Sequence, residues 1–154
     1  MMPRVLFSIL MLLVLTGPPA LAQSVTFPTS HLDLVTDQGR RHSFRVELAS
    51  SPDQLAQGLM FRRSLEPDAG MLFDFGQSRP VSMWMKNTLI PLDMLFMDRR
   101  GRVVHVEEFA VPGSLIPRGP NEPILGVLEL AAGTARRLGL KPGDRVEHPM
   151  FKQP

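Results

Sequence analysis

The segment Gly70–Phe109, GMLFDFGQSRPVSMWMKNTLIPLDMLFMDRRGRVVHVEEF, decides the fold. Apolar residues recur at period two through Gly70–Phe75, Val81–Lys86, Leu92–Asp98 and Arg102–Phe109, and each run has the length of an ordinary strand. Arg99-Arg100-Gly101 is short and ends on glycine, so Leu92–Asp98 and Arg102–Phe109 are expected to form a hairpin.

The same pattern continues on both sides. Upstream, His31–Val35 and Phe44–Leu48 read as two further strands joined by a turn at Asp37-Gln38-Gly39. Ser51-Pro52-Asp53-Gln54 then opens a short helix, with a capping hydroxyl, proline at the first helical position and an amide three residues after the cap. Gly58 offers it a left-handed end. Downstream, Pro112–Pro123 holds four prolines and two glycines in twelve residues and reads as a loop. Ile124–Leu130 is a further strand, Thr134–Leu138 a helical turn stopping at Gly139, and Lys141-Pro142-Gly143-Asp144 a tight turn before a last strand at Arg145–Glu147. Many short strands with Pro and Gly turns give a mainly β fold, a jelly-roll-like sandwich or squashed barrel with one or two short helices.

The N-terminus reads differently. Arg4, the apolar run Val5–Leu15 and the small residues Ala20 and Ala22 have the three-part build of a signal peptide, with cleavage expected after Ala22. The run is too short to span a bilayer core, which takes about 20 residues, so no membrane span is expected after cleavage. The chain therefore divides into a signal peptide over 1–22, a Ser/Thr/Pro tether over 23–30 and a single β domain over 31–150. Export to the periplasm or beyond is the expected destination.

Losing Arg4 leaves 16 of 17 basic residues against 15 acidic ones, a net charge of +1. With no basic stripe beyond isolated arginine pairs, no nucleic-acid partner is expected. The 132 residues that follow the leader, of 154 in all, suffice for one core. Cysteine and tyrosine are absent, which excludes disulfides, thiolate metal sites, Cys nucleophiles and phenolic acids. His31, His42, His105 and His148 never fall at the spacing of paired ligands, so no metal site is expected.

Gly58-Leu59-Met60-Phe61-Arg62, Gly70-Met71-Leu72-Phe73, Trp84-Met85-Lys86-Asn87-Thr88, Pro91-Leu92-Asp93 and Leu128-Glu129-Leu130 with Gly133 occur in this order. In these blocks, spanning about Phe44 to Val146, the chain closely resembles the bacterial and archaeal domain-of-unknown-function family 192. The resemblance implies a compact, mainly β, often exported domain with a jelly-roll-like sandwich. It implies no activity or cofactor, and it is weakest over Glu107–Pro123.

The polar residues set into this apolar sequence are the candidate site: Arg62, Trp84, Lys86, Asn87, Asp93 and Glu129. Lys86 is a candidate base with Asp93 or Glu129 as partner and Asn87 as an oxyanion donor; alternatively the lysine pairs with one of these carboxylates to fix strand register. Arg62 is a candidate carboxylate or phosphate clamp, or an ion pair with Glu66, Asp68 or Asp74. Trp84 is a stacking platform or core. Thioethers at Met60, Met71, Met83, Met85, Met94 and Met97 suggest Cu(I), but strand alternation sets Trp84 on the face opposite Met83 and Met85, and methionine commonly fills core gaps. The favoured expectation is a monomeric, non-catalytic envelope protein that binds a small ligand, glycan or protein segment. An enzyme using Lys86 and a Cu(I)-handling protein are the alternatives.

Overall fold

The structure, a computed structural model, describes residues 24–151. The expected signal peptide lies outside the described residues. The chain forms β1 (Thr29–Val35), β2 (Arg41–Ala49), α1 (Pro52–Gln57), β3 (Ala69–Arg79), β4 (Leu92–Met97), β5 (Val103–Ala110), β6 (Ile124–Ala131), α2 (Thr134–Leu138) and β7 (Arg145–Glu147). All strands join one sheet in the order β5-β4-β6-β3-β2-β1-β7, curled into a half-barrel. The sheet's edges approach each other at one end, where the Val103 N–H donates to Asp144 C=O and the Val146 N–H to Gly101 C=O, both at 2.8 Å. The mainly β, barrel-like expectation holds.

Local chemistry explains the elements. Ser51 caps α1 as expected: its Oγ accepts the Gln54 N–H, and Gln54 Oε1 accepts the Ser51 N–H. The helix stops at Gly58, where φ is +48° but ψ is −136°, not the left-handed helical value anticipated. A Cβ there would stand 3.0 Å from the Phe73 ring, so glycine is needed for space as well as conformation. The β4–β5 hairpin turns where expected, with Asp98 Oδ1 accepting the N–H groups of Arg100 and Arg102.

Two differences from the expectations matter. The segment placed in the tether is partly tied down: β1 begins at Thr29, Phe27 packs on the core and Pro28 C=O accepts the Leu48 N–H. Val81–Lys86 is not a strand. It makes one bridge, Met83 with Arg118, and its Met85 N–H goes to Ser114 C=O, so this loop pairs with the proline-rich loop instead of the sheet. Its alternation arises because Val81 and Met85 plug into the sheet's outer face, a demand that a loop lying on a sheet shares with a strand.

The sheet thus has apolar packing on both faces. One cluster draws on every strand, with Leu34, Phe44, Leu72, Leu95, Leu128 and Val146 among its members, and fills the curl. The other comprises Met71, Phe73, Met94, Phe96 and Val127 under Leu59, Val81 and Met85. All six residues of β4 are buried, as a strand covered on both faces must be.

Candidate functional site

The outer-face loops leave a pocket of about 210 Å³ over β3 and β6. Its apolar wall includes Leu59, Phe73 and Val81, and Met60, Arg79, Met83, Trp84, Lys86 and Glu129 complete most of the lining. Two unusual backbone positions hold one side together. Phe61 (φ +65°) donates its N–H to the carbonyl of Asn87 (φ +54°) at 2.9 Å. Asparagine tolerates the left-handed region, whereas phenylalanine there is strained and must be held by its surroundings. The Asn87 amide also lies 3.8 Å from Met60 Sδ.

Glu129 stands at the sheet end of this pocket. Period two along β6 sets it on the face of Val127, and the register places it between Met71 of β3 and Met94 of β4, both fully buried. Only 4% of Glu129 is exposed, and its carboxyl makes no hydrogen bond or ion pair among the described residues. Burial pushes its pKa from the ordinary 4.5 up to about 8, so at neutral pH it is mostly a neutral acid. Towards solvent, Lys86 Nζ sits 5.2 Å from the centroid of the half-exposed Trp84 ring, a cation–π contact.

Of the six candidate residues, the structure brings Trp84, Lys86 and Glu129 into one pocket, with Asn87 beside it. Arg62 lies over a separate recess and pairs with Glu47 at 2.8 Å, not with Glu66, Asp68 or Asp74. Asp93 is on the opposite face of the sheet, so it is not the partner of Lys86. Its Oδ1 accepts the Phe109 N–H at 2.9 Å and its Oδ2 the Ala135 N–H at 2.8 Å. The separation expected between Trp84 and Met83 also fails: without a strand there, both line the pocket, as does Met60. Sequence reasoning passed over Phe73 and Arg79. Neither carried a signal that ties it to Glu129, because the β3–β6 register that sets Phe73 on the Glu129 face is a product of the fold.

Fold and site define a small, curled-sheet β domain with a loop-roofed pocket built around a buried carboxyl. The chain belongs to the domain-of-unknown-function family DUF192, described as "Uncharacterized ACR", whose profile matches residues 34–148. A crystal structure from Sinorhizobium meliloti 1021, described as a candidate transcription regulator, is 50% identical, with a TM-score of 0.81 over 84% of this chain and 100% of that one. A protein of unknown function from Novosphingobium aromaticivorans DSM 12444 is 38% identical, with a TM-score of 0.77 over 86% of this chain and 94% of that one. No curated protein matches the chain.

Proposed function

We propose that this domain is a non-catalytic binding protein of the cell envelope, with a small ligand entering the pocket of Trp84, Lys86 and Glu129. The observation that supports this reading is Glu129. Its carboxyl is held almost out of solvent, with no protein partner among the described residues and access only to the pocket it lines, so a ligand there would supply a contact that the fold does not. Asp93 is committed to two backbone amides across the sheet, so Lys86 with Glu129 is the only pair left to the enzymatic alternative. Export is supported by Arg4, Val5–Leu15 and the Ala20/Ala22 positions; sequencing the mature N-terminus from fractionated cells should find Gln23 first, and an intact Met1 would remove this part of the proposal.

The fold of this chain does not suggest the regulator role in the description of the Sinorhizobium meliloti relative. Among the described residues the helices run six and five residues, which offers no recognition helix for a DNA groove.

Trp84 is the sole tryptophan and tyrosine is absent, so intrinsic fluorescence reports on the pocket alone. A chemically broad small-molecule library, read by Trp84 emission, should yield saturable ligands whose binding is weakened in Lys86→Met and Glu129→Gln. A library without a ligand, or ligands indifferent to both substitutions, would remove the pocket from consideration. A second reading, Cu(I) handling, is favoured by the shared position of Met60, Met83 and Trp84. It fails if Cu(I) titrated under reducing conditions leaves Trp84 emission unchanged.

A further inference from the structure

Three charged groups line one pocket without pairing with one another. Among the described residues Glu129 has no hydrogen-bond or ion-pair partner, and Lys86 rests on Trp84 and Arg79 on Phe75, both at 5.2 Å, each over an aromatic ring with no ion pair. The acid is buried in the interior strand β6, whereas both cations belong to exposed positions. The pocket is therefore polarised, with one acid inside and two cations outside, and Leu59, Phe73 and Val81 supply apolar wall between them.

We infer that this pocket takes a small zwitterion of the α-amino-acid class, its ammonium on the Glu129 carboxylate and its carboxylate towards Lys86 and Arg79. The inference rests on the binding role proposed above and adds the ligand chemistry. Size restricts the choice first: about 210 Å³ is below the range of roughly 300 Å³ and more that drug-sized ligands need, and a dry cavity of about 150 Å³ already admits benzene.

Charge restricts it further. A simple amine would satisfy Glu129 but meet two cations at the mouth, and a simple carboxylic acid would leave Glu129 without a cation. A neutral sugar could use the Ser82 hydroxyl and the Gln57 amide in the lining, but it would leave Glu129 without a cation and Lys86 and Arg79 without an anion. Only a ligand carrying both charges satisfies both ends of the pocket.

Proton traffic follows from the same geometry. The neighbours of Glu129 across the sheet, Met71 and Met94, are uncharged, and the charged groups lining the pocket with it are Lys86 and Arg79. Glu129 is therefore protonated near neutrality in the empty site. An arriving ammonium requires the carboxylate, so binding releases that proton to solvent, and affinity rises with pH until Glu129 is ionised without help.

The test titrates the full-length mature protein with each standard L-amino acid at pH 8, read by Trp84 emission and, for aromatic ligands, by calorimetry. The tightest one is then compared with its decarboxylated amine and its deaminated acid. The inference expects at least one saturable amino acid, with both analogues and the Glu129→Gln variant weaker by about tenfold or more. Circular dichroism should show Glu129→Gln folded. Affinity of the parent should rise about tenfold from pH 6 to pH 7 and level off above pH 8, and Glu129→Gln should show no such slope. Lys86→Met should weaken the amino acid but not the amine. An analogue that binds as well as the amino acid overturns the zwitterion while leaving a binding pocket in place. The same holds if no amino acid binds at millimolar concentration while another library compound saturates the site. If neither set moves Trp84 emission, the binding role falls with the inference.

Discussion

Asp93 and Glu129 are buried carboxyl groups on neighbouring central strands, and the register sets Asp93 opposite Leu130 and Met94 opposite Glu129. They face opposite sides of one sheet. Asp93 receives two backbone N–H groups where the chain most needs acceptors. Phe109 is held at φ +53°, and Ala135 lies in the first turn of α2, whose N-cap, Gly133, has no side chain to offer. Glu129 receives none and borders an open pocket. The difference separates a carboxyl that completes the scaffold from one whose partner must come from outside.

The largest expected effect breaks the scaffold side of this comparison. Asp93→Ala leaves two backbone donors unmet and should cost about 3–5 kcal/mol in urea unfolding. Asp93→Asn keeps one acceptor and should lose less. A cost under about 1 kcal/mol for the alanine variant would mean that Asp93 is not what holds Phe109 and α2 together.

Glu129→Gln should act in the opposite direction. The folded-state pKa of about 8 lies above the ordinary 4.5, so between these values the folded chain keeps a proton that the unfolded chain has lost. Stability of the ligand-free parent therefore falls as pH rises through this window and is level above it. Glutamine removes the titration and should flatten the profile, so that from below pH 4.5 to pH 8 it gains on the order of 4 kcal/mol relative to the parent. Thermal melts of both proteins from pH 5 to pH 9 check the sign; parallel profiles would show that Glu129 is solvated.

Smaller effects sharpen the description of the pocket's surroundings. Asn87→Ala forces a Cβ residue without a local hydrogen-bonding side chain into the left-handed region and should cost about 1 kcal/mol, whereas Asn87→Gly should be near neutral. Chemical denaturation of the two variants distinguishes this backbone role from a contact through the side chain. Smallest of all is Arg62→Ala. The Arg62–Glu47 pair is partly solvent-screened, so its loss should cost about 0.5 kcal/mol and leave Trp84 emission unchanged.

Much of this scaffold is legible in the sequence because its signals are local. The Ser51–Gln54 capping box, the Asp98–Gly101 turn and the Gly139 stop are each set by residues a few positions apart. The parallel pairing of β2 with β3 is not legible, because it depends on how the α1 connection crosses the sheet. Val81–Lys86 misleads for a different reason: period two reports burial of alternate residues, and a loop seated on a sheet buries them as a strand does.

The candidate site divides along the same line. Glu129 could be found, since it interrupts the apolar pattern of Ile124–Leu130 at a position on the Val127 face. The scaffold role of Asp93 could not, because its donors are 16 and 42 residues away and are backbone groups, which leave no mark on the side-chain pattern. Arg62 was equally opaque: its partner Glu47 is on β2, a strand joined to it only through the fold.

The most direct test of the central claim is a ¹³C NMR titration of the Glu129 side-chain carboxyl in the ligand-free protein, with Glu129→Gln used to assign the resonance. An unpartnered acid facing the pocket predicts a midpoint near the value of about 8 set by burial. A midpoint at the ordinary 4.5 would show the carboxylate already solvated or paired, and would contradict a site waiting for its partner.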